Sequence, residues 1–266
     1  MSASVPLRRF AYGPDASQYA ELCVPETRVH QHIAIIIHGG FWRSAYDAEL
    51  GRPLAADLAE RGIVSWNLEY RRNGNGGGYP QTFLDVAAGI DALTPALVAA
   101  GLSPGPRVAI GHSAGGHLAL WAAGRSLLPA GAPGASTAQT ERLDGVISQA
   151  GVLDLALAHR LELSADAAGE FMGSTPESDP SAWTIADPAL RLATGIPLVM
   201  LHGRNDADVP VSVARSVAAA ARLAGAKVDY REFDGDHYGL ITPGDAAWEE
   251  CVAALLGLGT ANPLRD

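Results

Sequence analysis

"RVAIGHSAGGHLALWAAG", residues Arg107 to Gly124, changes its periodicity at a single residue. Before Ser113 the run is short, apolar and bounded by proline and glycine, which reads as a strand buried on both faces. After it the small and apolar residues recur at helical spacing. Gly111 to Gly115 fits G-x-S-x-G, and its place between a strand and a helix matters more than its letters. Such a turn strains the serine and lifts its hydroxyl above the sheet, where the free N–H groups of the helix start favour negative charge. A glycine-rich helix start capped by a serine would give the same letters without any chemistry.

Working outward, the same alternation repeats. Strands are expected at "HIAIIIH" (His32 to His38), "IVSWNLEY" (Ile63 to Tyr70), "LDGVISQAG" (Leu143 to Gly151), "IPLVMLHG" (Ile196 to Gly203) and "KVDYREF" (Lys227 to Phe233). Helices are expected over residues 47–62, 82–100, 211–224 and 245–258. Val5 to Val24 reads as an antiparallel hairpin broken by "GPDAS". "NGNGGGYP" (Asn73 to Pro80) is too rich in glycine to be regular, and Leu153 to Leu192 is irregular. The alternation predicts one doubly wound, mostly parallel α/β sheet with helices on both faces. It forms a single domain over 1–266, with a short lid over 153–193. Ligands in such sheets sit at the carboxyl ends of the strands, where His38, Ser113, Asp206 and His237 all fall.

Composition narrows the function. The 266 residues are 48% hydrophobic and 18% charged, enough for a full core. A net charge of −10 argues against a nucleic-acid partner, which needs a basic face. Cys23 and Cys251 are too few for a disulfide framework or a cysteine zinc site, and both read as ordinary, partly buried thiols. "HQH" at His30 to His32 places two imidazoles on one strand face without a third ligand, so no metal site is expected. The opening "MSASVPLRRF" lacks the apolar run of a secretory signal, and no segment offers an uninterrupted membrane span. The expectation is a cytoplasmic protein with no membrane partner, a homodimer being left open.

A serine hydroxyl needs a base, and the base needs a third group to set its tautomer. His237 in "DGDHYG" follows the last strand and can fold back toward Ser113. His38 and His202 sit in H-G dipeptides, where a ring braces a loop. A serine on such an elbow is followed in the chain by its acid and then its histidine, so the acid lies in "HGRNDADVP". Asp206 is nearer the strand end than Asp208, which is better placed to cap the next helix. Acyl transfer passes through an oxyanion, and "HGGFW" (His38 to Trp42) supplies a backbone that can approach it. The N–H groups of Gly40, Phe41 and Ala114 are the expected donors. Phe41, Trp42, His112 and Tyr238 are the expected substrate-binding side chains. "EYRR" (Glu69 to Arg72) with Asp85 reads as a brace under this loop, against a direct role for Arg71 or Arg72 in holding an anionic substrate.

"HGGFW", "GHSAGGHLAL", "HGRNDADVP" and "DGDHYGL", in that order over about Ile33 to Leu255, resemble the α/β-hydrolase superfamily. The first two, with "SQAGVLDL" (Ser148 to Leu155), resemble its kynurenine formamidase (arylformamidase) and related esterase branch, whose loop reads H-G-G-x-W. The resemblance implies a serine hydrolase without cofactor, with Ser113 as nucleophile, Asp206 as acid and His237 as base. Its substrate would be a small ester or aryl-formamide cleaved through an acyl-enzyme. Acetyl or feruloyl carbohydrate esterases share these motifs, and the same fold can also carry a non-hydrolytic lyase or a ligand-binding protein.

Overall fold

The computed structural model describes residues 7–259. Val5 and Pro6 of the expected hairpin lie outside the described residues, as does most of the stretch read for a signal. Among the described residues, eight strands form one sheet: β1 (Leu7–Ala11), β2 (Tyr19–Cys23), β3 (Ile33–Ile37), β4 (Val64–Leu68), β5 (Arg107–His112), β6 (Gly145–Gln149), β7 (Leu198–Gly203) and β8 (Val228–Phe233). Their order across the sheet is β1-β2-β4-β3-β5-β6-β7-β8. β2 is antiparallel to β1 and β4, and every other pairing is parallel. The helices are α1 (Arg52–Glu60), α2 (Gln81–Asp91), α3 (Leu93–Ala99), α4 (Ala114–Ala123), α5 (Leu155–Arg160), α6 (Leu163–Met172), α7 (Pro180–Ala186), α8 (Val211–Leu223) and α9 (Ala246–Gly257).

Strand periodicity divides the core in two. Ile33, Ile35 and Ile37 of β3 face a cluster shared with α2, α3, α4 and α8, while Ala34 and Ile36 face α1 and α9. Burial on both faces is what turns β3 into a run of isoleucines instead of an alternating strand. At the antiparallel edge Arg8 lies over Phe10 and Arg9 over Tyr19, which puts charge where another strand would otherwise pair.

Several expectations change in detail. The helix foreseen over 47–62 begins only at Arg52, with Pro53 in its first turn; proline fits there because the N–H it lacks would be unbonded. The helix foreseen over 82–100 breaks at Ala92 into α2 and α3. Gln81–Ala99 is nonetheless long and apolar enough to cross a membrane, but it packs on the sheet and is more than half buried there. His30 and His32 precede β3 instead of sharing a strand face, and the His32 Nε2–H donates to the Leu258 carbonyl at 2.7 Å. The region after Leu153 is helical, with α5, α6 and α7 inserted between β6 and β7. Both cysteines are fully buried.

α4 runs tight against the carboxyl end of β3. A Cβ on Gly115 would lie 2.0 Å from the Ile37 carbonyl oxygen and 2.6 Å from that of His38, so only glycine lets the helix come this close. Gly115→Ala is therefore expected to destabilise the protein by about 3 kcal/mol in urea unfolding. Gly257→Ala, where a new Cβ meets nothing, should be neutral or stabilising by up to about 1 kcal/mol. Equal stability of the two variants would contradict the packing account.

Candidate active site

Ser113 is the single residue between β5 and α4, and its backbone sits at φ 54°, ψ −117°. A side-chain-bearing residue in this region carries about 1–3 kcal/mol of strain and stays there only when its surroundings hold it. They do. The Ser113 N–H donates to Gln149 O at 2.9 Å, and its carbonyl accepts from Gly116 at 3.0 Å and Val152 at 3.1 Å. The residue is only 2% exposed, so the serine expected to present its hydroxyl above the sheet is buried.

Asp206 follows β7 and is saturated with donors. Its Oδ1 accepts from the N–H groups of Asp208 at 2.9 Å and Val209 at 2.7 Å. Its Oδ2 accepts from His237 Nδ1 at 2.7 Å and His202 Nε2 at 3.2 Å. Burial alone would raise the Asp206 pKa, but the bonds from His202, His237 and Val209 outweigh it and hold the carboxyl well below the usual carboxylate range. A carboxylate only accepts, so His237 carries a proton on Nδ1, and in its neutral form Nε2 is left as a base. Asp208 does not cap α8 as foreseen; Pro210 occupies the N-cap, without a side-chain bond. Among the described residues, Asp206, Asp208 and His237 bring potential metal-ligand atoms within 4.8 Å of one another. The Asp206–His237 hydrogen bond already engages two of those three side chains.

His112 links this pair to the elbow. Its Nε2–H donates to the His237 carbonyl at 2.9 Å, and the two rings lie 4.5 Å apart. Burial, with His237 nearby, pushes its pKa down to about 3, so it is a neutral brace. The expected substrate contact at His112 is thus corrected: a buried ring with its N–H engaged positions His237. Tyr238 is 53% exposed, its ring edge-on to that of His237.

The loop after β3 closes on the serine from the other side. A Cβ on Gly39 would come 3.1 Å from Ser113 Cβ and 2.8 Å from the His112 carbonyl oxygen. Gly40, Phe41 and Trp42 then take positive φ values of 104°, 47° and 55°, and Arg43 N–H closes the turn on Gly40 O. Among the described residues, the N–H groups of Gly40, Phe41 and Ala114 have no acceptor within the protein. Phe41 is half-buried, whereas Trp42 is fully buried, stacked on Phe171 at 4.7 Å and edge-on to His117 at 5.2 Å. The expectation that Trp42 binds substrate is corrected by this packing: its ring joins the loop to α6 as part of the core. Arg43 adds a polar clasp to the same helix, donating to Glu170 at 3.1 Å and to Ser164 Oγ at 2.9 Å.

Under the loop lies a buried polar brace, only partly foreseen. His38 Nδ1–H donates to Gly39 O at 2.9 Å, its ring stacks on Tyr70, and the Tyr70 hydroxyl donates to His38 O at 2.7 Å. Arg72 pairs with Glu69 and donates to His38 Nε2 at 3.3 Å. Burial first, then the Arg72 charge, push the His38 pKa down to about 3, so the Glu69 carboxylate 3.8 Å away is not its ion-pair partner. Arg71 makes a two-pronged pair with Asp85 at 2.7 and 2.8 Å. Sequence reasoning placed "EYRR" and Asp85 under the loop but did not foresee that Arg72 pairs with Glu69, nor the bond from His202 to Asp206. The H-G dipeptides at His38 and His202 were the available signals.

A family model described as BD-FAE matches residues 21–223. The chain is 29% identical over 210 residues to esterase LipQ of Mycobacterium tuberculosis, covering 77% of this chain and 49% of that protein. It is 26% identical over 246 residues to the probable isoprenylcysteine alpha-carbonyl methylesterase ICME of Oryza sativa subsp. japonica, covering 86% and 57%. The chain thus spans about half the length of the curated relatives it matches. Among solved structures, a truncated form of a carbohydrate esterase from gut microbiota superposes with a TM-score of 0.76 at 19% identity, covering 94% of each chain. The thermophilic esterase Est2 of the planctomycete Thermogutta terrifontis gives 0.71 at 22% identity, covering 93% of this chain and 89% of that one. The architecture is the α/β-hydrolase fold.

The brace makes a prediction about folding. Arg72→Ala leaves the Glu69 carboxylate, 2% exposed, without its cation and should cost about 3–5 kcal/mol of stability by urea unfolding. An unchanged midpoint with a raised KM would instead assign Arg72 to substrate.

Proposed function

The chain belongs to the BD-FAE family, an α/β-hydrolase esterase family, and from that premise we propose that it hydrolyses small carboxylic esters through an acyl-enzyme on Ser113. The observation that carries this reading is the 2.7 Å bond from His237 to a saturated Asp206, tied to the serine's own elbow through His112. Ser113 Oγ attacks the carbonyl carbon as His237 Nε2 takes its proton. The oxyanion is received by the free N–H groups of Gly40, Phe41 and Ala114, each such donor supplying about 3–4 kcal/mol. Collapse expels the alcohol, which leaves with the proton from Nε2. Water then attacks the acyl-enzyme by the same route, and the acid departs. The reaction so written calls on no metal or organic cofactor.

The curated relatives bear esterase names, which supports ester over aryl-formamide. Side-chain geometry supports it too. Binding a substrate carboxylate, such as the amino-acid end of formylkynurenine, would need a cation, and Arg71 and Arg72 are committed to Asp85 and Glu69. The substrate is small in this reading, because Ser113 is covered and α5 to α7 act as a short lid, anchored where Phe171 meets Trp42.

The test is hydrolysis of p-nitrophenyl acetate, methyl ferulate and N-formylkynurenine, with Ser113→Ala as the blank. Ester turnover is expected, with a loss of about 10⁴-fold or more in kcat for Ser113→Ala at unchanged melting temperature. Activity persisting in Ser113→Ala would overturn the mechanism. Formylkynurenine as the best substrate would overturn the ester assignment.

A further inference from the structure

His202 stands at the end of β7 with a side chain that is 1% exposed. Its Nε2 lies 2.9 Å from Val209 O and 3.2 Å from Asp206 Oδ2. Both oxygens only accept, so Nε2 carries a proton and one N–H is shared between them. The turn of residues 203–209 is therefore closed from within by one imidazole, with Asp206 N–H also returning to Gly203 O at 3.3 Å. The Asp206 side chain is fully buried, so solvent has no access to replace a donor that is removed.

We infer that His202 is a positioning residue which, through the Asp206 carboxylate, sets both the orientation and the proton affinity of His237. The inference rests on the proposed role of Asp206 and His237 as the acid–base pair. Its physical content is charge sharing. An N–H on Oδ2 takes up part of the carboxylate's negative charge; without it that charge acts more fully on His237 and favours its protonated form. His237 works as a base only when deprotonated, so the acid limb of the rate profile moves to higher pH. The other titratable groups facing the pair are His112 from β5, Asp208 from the turn after β7, and Asp236 and Tyr238 from the loop carrying His237. A ring serving only to pack would lose stability on replacement and leave that limb where it was.

The experiment measures kcat and KM for p-nitrophenyl acetate from about pH 5 to about pH 9 in the wild-type chain, His202→Leu and His202→Gln. His202→Leu is expected to lose about ten-fold or more in kcat at little-changed KM, with its acid limb displaced upward. His202→Gln, whose amide again offers an N–H, should recover the limb and most of the rate. A wild-type limb in His202→Leu, or a glutamine variant as impaired as leucine, overturns the inference. If the leucine variant does not fold, proton–nitrogen NMR of ¹⁵N-histidine-labelled wild type decides. The His202 Nε2–H resonance should shift with the midpoint of the kinetic acid limb, and one that ignores it refutes the coupling. A wild-type chain that hydrolyses no ester defeats the proposed function itself, whereas an active one with an unmoved limb in His202→Leu defeats only the role of His202.

Discussion

Everything at the carboxyl edge of this sheet depends on how closely α4 approaches β3. The Ile37 carbonyl oxygen occupies the place where any side chain on Gly115 would begin. With helix and strand that close, one residue is left to connect β5 to α4, and it turns at a positive φ of 54°. The strain at Ser113 is thus a consequence of packing, held by the neighbouring bonds to Gln149, Gly116 and Val152. The same proximity brings the backbone at Gly39 against the serine, so the elbow and the donors expected to face it arise from one contact.

Around that contact, polar groups are buried in connected sets. Asp206 collects four donors, and the Glu69, Arg72, His38 and Tyr70 set lies beneath the glycine loop. Buried ion pairs contribute little net stability because desolvation offsets their attraction. Their value here is geometric. Each set fixes a backbone turn that the proposed mechanism uses. Burial also keeps His38 and His112 neutral across any working pH, so neither imidazole brings a competing charge near the His237–Asp206 pair.

The fold was legible because β3 to β7 are buried on both faces and announce themselves as apolar runs, each ending in a polar or glycine signal. Ser113 and Asp206 were legible as candidates because each follows such a run, and His237 because it follows the last, half-buried strand. Side-chain destinations were not. Trp42 reads as a pocket residue beside two glycines, yet its neighbour in space is Phe171, which lies far along the chain on α6. His112 reads as a substrate contact beside the serine, but its N–H is taken by the carbonyl of His237, distant in sequence. Asp208 looks like a helix cap until Asp206 takes the backbone N–H groups of the turn for itself. In each case a long-range partner competed with a local role, and local sequence carries no record of that competition.

The central claim is that this constellation activates Ser113. The most direct measurement is reaction of the wild-type chain with a fluorophosphonate, followed by peptide mapping of the adduct, beside a His237→Asn variant. The expected result is one adduct per chain, on Ser113, and labelling at least about a hundred-fold slower in the variant, as follows from losing a general base. No adduct, an adduct on another serine, or equal rates in the two proteins would contradict it.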